Sequence, residues 1–347
     1  MKYAQVLLLL SFLLGACSTH SNSIKTITKG HMPAITGDKE NNIHVVYGNS
    51  DSIMYTVSTD KGLSFSAPVL VDTLTDLIDY ATRGPQIAAT KNTVTIIAVN
   101  KQGNIFSYAK DIAGKWTKTT QVNDADTTNK EGFLSLSSNG DNKLFAVWPD
   151  LRADGHNKIY GAGSTDGGKT WNKNILVYAS PDSTVCECCK PSVLMNANHV
   201  YVMFRNFLNG NRDLYLIESV NGGATFNEAQ KLGKGNWQLD GCPMDGGALT
   251  LQSGTIQTVW RRKDSIFSAI PGATEQFIAT GKGCTLTANN NSIAYAWVNE
   301  NKVIVKTGNS PQQVMGNGSL PVLKWIDDQR LICIWEDDGK INYRLVN

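Results

Sequence analysis

The sequence predicts an all-β fold in which short antiparallel sheets repeat along the chain. Three observations lead to this prediction. An eight-residue turn phrase occurs three times, each time directly after a short strand of alternating character. A second pattern, a polar residue followed by an apolar strand, begins seven successive units. The composition, with 41% hydrophobic residues, 18% charged residues and a formal net charge of +2, is typical of a soluble β domain and excludes a strongly basic nucleic-acid binder.

The turn phrase contains an Asp or Asn, one or two glycines and a closing aromatic residue. Its copies are Ser58–Phe65, Ser164–Trp171 and Ser219–Phe226, which follow predicted strands at Ser52–Ser58, Lys158–Ser164 and Asp213–Ser219. The Asp or Asn accepts hydrogen bonds from turn amides, and glycine adopts the positive φ that a tight turn needs. We therefore expect structural roles for Asp60, Asp166 and Asn221.

The seven units predict the blades of a single β-propeller. Their first strands begin at positions 31, 83, 131, 189, 245, 282 and 319, and the second strand usually ends in an aromatic residue: Tyr47, Trp148, Phe204, Trp260, Trp297 or Trp335. We interpret these aromatic residues as core, rather than as exposed sugar platforms. The last unit has only three strands, so the early strand Ile24–Lys29 is expected to complete it and close the ring. Seven four-stranded blades are predicted; six, with one unit as an insertion, is the alternative.

The first residues predict the cellular compartment. Lys2 precedes an apolar run, Val6–Leu14, that is too short to span a membrane. Leu14–Cys17 resembles a bacterial lipobox, which implies a signal peptide over residues 1–16 and acylation of Cys17. Residues 17–23 are then a lipidated tether, residues 24–347 form the propeller, and Ser18 after the cysteine implies an outer-membrane lipoprotein of the bacterial cell envelope. An ordinary secretory signal is the alternative.

The turn phrase also resembles the Asp box, or BNR repeat, of the sialidase-like β-propeller superfamily. The copy Ser164–Trp171 matches it at every defining position. The resemblance implies a propeller whose active site lies on the face opposite the Asp boxes, in a superfamily that includes enzymes and non-enzymes. Further segments resemble lipoproteins of this superfamily that are loosely labelled exo-sialidase: Cys188-Cys189, Cys242–Asp245, Phe204–Asn206 and Arg212-Asp213.

The first position of each unit predicts a ligand site. Because inner strands begin at one face near the central axis, these residues should form a ring around a concave pocket: His31, Arg83, Glu131, Cys189, Asp245, Lys282 and Ser319. Guanidinium groups bind carboxylates with paired hydrogen bonds, so a clamp for an acidic glycan or other anionic small molecule is expected from Arg83, Arg152, Arg205, Arg261 and Lys282. The alternatives are ordinary salt bridges and a wet tunnel mouth.

The sequence supports two functions. Glu131 and Asp245 form a candidate carboxyl pair for glycoside hydrolysis, with His31 available for proton transfer. His31 stands where the superfamily has the first arginine of its carboxylate-binding triad, so sialic acid itself is not implied. The first function is an exo-glycosidase on acidic glycans; the second is a lipoprotein that binds a glycan or a metal without turnover. We expect a monomer that contacts the membrane through its lipid anchor and binds no nucleic acid.

Four cysteines are predicted to meet at the pocket rim: Cys186, Cys188, Cys189 and Cys242. In an oxidising compartment they predict one or two disulfides, with Cys242 bonded to one of the other three. A thiolate site for zinc or copper, with Met244 and His31 as further ligands, is a second interpretation. A catalytic role for Cys189 is the third. Cys284 and Cys333 are interpreted as core thiols.

Overall fold

The computed structural model describes residues 23–346, which form seven antiparallel sheets of four strands each. The first described strand is β1 (Lys25–Lys29). Blade 1 consists of β2 (His31–Gly37), β3 (Ile43–Asn49), β4 (Ser52–Ser58) and β5 (Val69–Thr73), and blade 2 of β6 (Gln86–Ala89), β7 (Val94–Val99), β8 (Ile105–Lys110) and β9 (Trp116–Gln121). Blade 3 consists of β10 (Ser135–Ser138), β11 (Leu144–Asp150), β12 (Lys158–Ser164) and β13 (Ile175–Tyr178).

Blades 4 to 6 have the same strand order. Blade 4 consists of β14 (Ser192–Asn196), β15 (His199–Leu208), β16 (Asn211–Ser219) and β17 (Gln230–Lys231). Blade 5 consists of β18 (Ala248–Gln252), β19 (Thr255–Arg262), β20 (Ser265–Ala269) and β21 (Gln276–Thr280). Blade 6 consists of β22 (Lys282–Ala288), β23 (Ile293–Asn299), β24 (Lys302–Thr307) and β25 (Gln313–Asn317). Within residues 23–346 there is no helix with the length and apolar character needed to cross a bilayer.

Blade 7 is built from both ends of the described chain. It consists of β26 (Ser319–Trp325), β27 (Leu331–Asp337), β28 (Lys340–Val346) and, on its outer edge, β1. Lys25 pairs with Tyr343 in the β1–β28 ladder, and β26 contacts β2 of the first blade. The ring is therefore closed, because the N-terminal strand completes the last sheet. The predicted seven blades and the predicted closure are both confirmed.

The hydrophobic core is divided into layers between adjacent blades. Trp148 is fully buried against Ile97 and Val99 of the preceding blade, and Trp335 is fully buried against Ala296 of blade 6. The other aromatic residues at the ends of second strands are buried in the same way: Tyr47, Phe204, Trp260 and Trp297. These residues are core, as predicted, and so are Cys284 and Cys333. Each layer needs both of its blades, so no single sheet can bury its faces alone.

The three repeated turns make the same hydrogen bonds. The Oδ1 atom of the third residue accepts from the backbone N–H four positions later, at 2.9 Å for Asp60, 2.9 Å for Asp166 and 3.0 Å for Asn221. The hydroxyl of the first residue accepts from a glycine N–H at 2.9 Å in each copy. These side chains are thus committed to the turns that join third and fourth strands.

The propeller has two chemically different faces. The turn face carries the three repeated turns. The entry face carries the starts of the inner strands and the connections between second and third strands. His31 pairs with Gly48 near the end of β3, and Ser319 pairs with Glu336 near the end of β27, so both segments lie at this face. The predicted site residues therefore belong to the entry face, away from the turns.

Candidate functional site

Asp245 joins two neighbouring blades on the entry face. Its side chain is buried, and its Oδ2 atom accepts a hydrogen bond of 3.0 Å from the backbone N–H of Gly283 in the next blade. Arg261 Nη1 lies 3.4 Å from the same oxygen. Burial raises the pKa of Asp245, against the opposing effects of this amide and of the Arg205 and Arg261 charges. The Asp245 carboxyl group, which was predicted for catalysis, thus binds an amide and a guanidinium group of the protein itself.

Glu336 makes the equivalent contact between blades 7 and 1. Its Oε2 atom accepts from the backbone N–H of Met32 at 2.9 Å, and its Oε1 atom lies 2.8 Å from Nδ1 of His31. Met32 and Gly283 are each the second residue of their unit, and both have a left-handed backbone, with φ of 54° and 60°. The two carboxylates therefore bind backbone amides at the same position of two different units. Glu336 orients the His31 imidazole, whose side chain is 45% exposed.

Two of the predicted clamp residues are enclosed in hydrogen-bond networks. The Arg205 guanidinium is buried and donates to the carbonyl oxygens of Asp245, at 3.1 and 3.0 Å, of Arg212, at 2.7 Å, and of Arg261, at 3.0 Å. Arg152 donates to both carboxylate oxygens of the buried Asp150, at 2.9 and 2.8 Å. Both side chains hold the entry loops in place.

The remaining clamp residues do not converge on one point. Arg83 donates to the carbonyl oxygens of Glu131, at 2.5 Å, and Ala81, at 3.0 Å, and its guanidinium lies 4.1 Å from the centre of the Phe133 ring. Arg261 is held by Asp245 and by the carbonyl oxygen of Lys263, at 2.5 Å. Lys282 and Ser319 are exposed on the entry face. The structure therefore brings Arg83 to Glu131 and Arg261 to Asp245, as two separate pairs.

A second carboxyl group accompanies Glu131. Burial raises the pKa of Glu131, the negative charge of Glu187 raises it further, and the Arg83 charge and a hydrogen bond with Asn157 oppose them. The Glu131 side chain is 28% exposed, and Glu187, 44% exposed, lies 3.4 Å from Arg212 Nη1. Glu187 stands between Cys186 and Cys188 and was not predicted as a site residue. Its place in the loop that enters blade 4, directly before the unit that begins at Cys189, was the signal available in the sequence.

Lys190 is a further entry-face residue that was not predicted from the sequence. Its ammonium group donates to Oε1 of Gln86 at 2.8 Å, although Gln86 belongs to blade 2 and Lys190 to the segment that enters blade 4. The contact joins blades 2 and 4, although blade 3 lies between them in the ring. It therefore lies near the central axis, where the inner ends of the blades meet. Burial lowers the pKa of Lys190 to about 8.

The four rim cysteines meet as predicted. Cys188 and Cys242 form a disulfide that connects the entry loops of blades 4 and 5, one of the pairings expected from the sequence. Cys186 and Cys189 are buried free thiols whose sulfurs are 3.3 Å apart. The sulfurs of Cys186, Cys188 and Cys189 lie within 4.8 Å of one another. Zinc and copper sites of this type need thiolates, so the bonded Cys188 does not fit a metal in this state.

The architecture and the entry face define the molecule as a seven-bladed β-propeller. Among solved structures it is similar to the lectin BP39L from Burkholderia pseudomallei, with 12% identity, a TM-score of 0.67 and coverage of 92% of this chain and 96% of the lectin. It is also similar to an α-L-arabinanase from Penicillium chrysogenum bound to arabinobiose, with 10% identity, a TM-score of 0.55 and coverage of 93% and 97%. The polysaccharide lyase Uly1 has 11% identity, a TM-score of 0.58 and coverage of 91% and 90%.

These similarities are similarities of fold. They confirm the expected β-propeller architecture, which this chain shares with a lectin, an arabinanase and a polysaccharide lyase. No protein-family model matches the sequence, and no curated protein matches it significantly.

Proposed function

We propose that the protein is an exo-acting glycoside hydrolase for acidic glycans and that Glu131 and Glu187 are its carboxyl pair. The observation that carries this proposal is the environment of Glu131, whose pKa is raised by burial and by the neighbouring Glu187 charge. Glu187 in turn contacts the Arg212 guanidinium. Glycoside hydrolysis requires one carboxyl group that donates a proton and a second carboxyl group that acts as base or nucleophile.

The roles follow from the surroundings of each group. Glu131 is the proton donor to the leaving oxygen, since its raised pKa keeps the proton on the carboxyl group at higher pH. Glu187, more exposed and paired with Arg212, acts as the base or nucleophile. Asp245, the partner predicted from the sequence, is replaced in this proposal because its carboxylate binds the Gly283 amide. His31 remains a candidate for proton transfer through its exposed ring.

Two features support a glycan as the ligand. The proteins of similar fold include a lectin, an arabinanase complexed with arabinobiose and a polysaccharide lyase. The entry face also carries the exposed cationic side chain of Lys282, which suits an acidic sugar. The protein would act as a monomer on one sugar chain at a time.

Glu131→Gln is expected to lower kcat on an acidic aryl glycoside by about 10²- to 10⁴-fold, because the amide has no proton to donate. Glu187→Gln should also lower kcat, and its residual activity should decline at a lower pH than that of the wild type, since loss of the Glu187 charge lowers the pKa of Glu131. The measurement is the pH profile of kcat for each variant. Glu218→Gln is the matched control, because Glu218 is similarly exposed but lies by the turn face, paired with His199.

Retention of wild-type turnover in Glu131→Gln would rule out the proposed acid.

The second candidate function, binding of a glycan or a metal without turnover, is favoured by the protein interactions that hold Arg205, Arg152 and Asp245. It predicts saturable binding of an acidic glycan without hydrolysis, or stoichiometric zinc or copper in protein whose Cys188–Cys242 bond has been reduced.

We also propose that the propeller is anchored in the bacterial outer membrane through acylated Cys17, a residue outside the part of the chain that the structure describes. The supporting evidence is the sequence Leu14–Ser18. Cells that express the full chain should incorporate an alkyne-labelled fatty acid into the protein, and Cys17→Ser should abolish the label. A labelled Cys17→Ser variant would contradict the proposal.

A further inference from the structure

The cysteine cluster combines a dithiol and a disulfide at contact distance. Cys186 and Cys189 have the Cys-x-x-Cys spacing, and their sulfurs are 3.3 Å apart. Cys186 Sγ is also 3.7 Å from Cys188 Sγ, which is bonded to Cys242. A disulfide is exchanged when a thiolate attacks one of its sulfurs, so the cluster already holds an attacking group and its target.

The surroundings of Cys186 favour its thiolate form. Arg212 Nη1 lies 3.2 Å from Cys186 Sγ, and it also contacts Glu187. The hydrogen bond between Cys186 and Cys189 and the charges of Arg205 and Arg212 lower the pKa of Cys186, whereas burial and the nearby Cys186 raise the pKa of Cys189. A dithiol with one stabilised thiolate and one high-pKa thiol is typical of exchange sites.

The four sulfurs also differ in access to solvent. Cys186 and Cys189 are buried, whereas Cys242 is exposed on the entry face. Electrons from the buried thiols can therefore reach an external partner only by way of the Cys188–Cys242 bond. This arrangement separates a buried reductant from a surface-accessible sulfur.

We propose that Cys186, Cys188, Cys189 and Cys242 form a thiol–disulfide relay that reduces an external disulfide. The Cys186 thiolate attacks Sγ of Cys188, the Cys186–Cys188 bond forms, and Cys242 leaves as a thiolate. Cys189, after losing its proton to solvent, attacks Sγ of Cys186 and expels Cys188 as a thiolate. The buried pair is then a disulfide, and the surface pair, Cys188 and Cys242, is a dithiol after it takes up two protons.

The surface dithiol completes the reaction with a second disulfide. Cys242 attacks an external disulfide R–S–S–R, releases one R–SH and forms a mixed disulfide, which Cys188 resolves by releasing the second R–SH. Two electrons pass from Cys186 and Cys189 to the external molecule, and the protein ends with two disulfides. The relay uses none of the carboxyl groups of the proposed hydrolase, although the two activities share Arg212, which contacts both Cys186 and Glu187.

The test uses the purified full chain with glutathione disulfide as the probe and a chelator present throughout. Wild-type protein should release two glutathione thiols per chain. Peptide mapping should find only the Cys188–Cys242 disulfide before the reaction, and both the Cys188–Cys242 and Cys186–Cys189 disulfides after it. Cys189→Ser should stop after the first exchange, with Cys186–Cys188 bonded and glutathione attached to Cys242. Cys186→Ser should release none by this route, and Cys333→Ala, which changes a buried cysteine outside the cluster, should behave as the wild type.

Arg212 provides a readout that a merely structural cysteine cluster would not give. Arg212→Met should slow glutathione release by about tenfold or more through loss of the stabilised thiolate, and Arg212→Lys should recover part of the rate. The proposal is overturned if wild-type protein keeps both buried thiols after exposure to glutathione disulfide. It is equally overturned if Cys186→Ser releases glutathione at the wild-type rate, or if a parallel sample without the chelator retains a stoichiometric metal and keeps its buried thiols. If a variant fails to fold, wild-type protein that keeps both buried thiols still overturns the proposal.

Discussion

Arg205→Met is expected to lower the free energy of unfolding by about 3–5 kcal/mol, the usual cost of removing one side of a buried charged network. The Arg205 guanidinium donates to the carbonyl oxygens of Asp245, Arg212 and Arg261, which belong to two different blades. Methionine fills much of the space but leaves these buried oxygens without donors. Chemical denaturation monitored by tryptophan fluorescence measures the loss.

The control for this prediction is Arg330→Met. Arg330 pairs with Asp327 three residues earlier, and both side chains are 29% exposed, so its replacement should cost less than about 1 kcal/mol. Arg205→Lys should fall between the two, because an ammonium group cannot reproduce the fixed fork of a guanidinium. Equal stability of Arg205→Met and the wild type would show that the entry loops do not depend on this side chain.

Gly223→Ala is expected to destabilise the propeller by about 2–4 kcal/mol, from a left-handed backbone and from overpacking together. Gly223 has a φ of 90°, and a Cβ atom built there overlaps the Phe145 ring in the layer between blades 3 and 4. Phe145 is buried, and its ring packs edge to face on Phe226 at 6.0 Å, so it has little room to move. Thermal unfolding of the variant measures the effect.

Gly222→Ala separates the two contributions. Gly222 has a φ of 74°, so alanine there meets the same backbone cost, but a Cβ atom finds no neighbour within 4 Å. Its loss should be about 1 kcal/mol. If both variants lose the same stability, the contact with Phe145 contributes nothing, and the repeated turn is held by its backbone conformation alone.

Much of the fold could be predicted because its signals are local and repeated. The turn chemistry of Asp60, Asp166 and Asn221 depends on residues within a few positions of each other, and the structure contains those hydrogen bonds. Burial of Trp148 and its equivalents follows from their place at the end of a central strand. Even the pairing of the N-terminal strand with β28 could be anticipated, because one unit lacked a fourth strand.

The sequence predicted where the candidate site lies but not what each of its residues does. The sequence placed Asp245, Arg205 and Glu131 on one face, yet it could not show that Asp245 binds the Gly283 amide or that Arg205 binds three carbonyl oxygens. Those contacts join residues from different blades, and their hydrogen bonds depend on distances of a few tenths of an ångström. Glu187 and Lys190 were missed for the same reason, since their partners lie in other parts of the ring.

By itself the sequence determined the repeat, the seven blades and the face on which polar side chains gather, because turn chemistry and alternating hydrophobicity act over short stretches of chain. The tertiary structure alone decided which of those side chains are used in holding blades together and which remain open to a ligand. It also decided that Cys188 bonds Cys242 and leaves Cys186 and Cys189 as thiols. The physical reason is that these contacts form between blades, where closure of the ring fixes the distances.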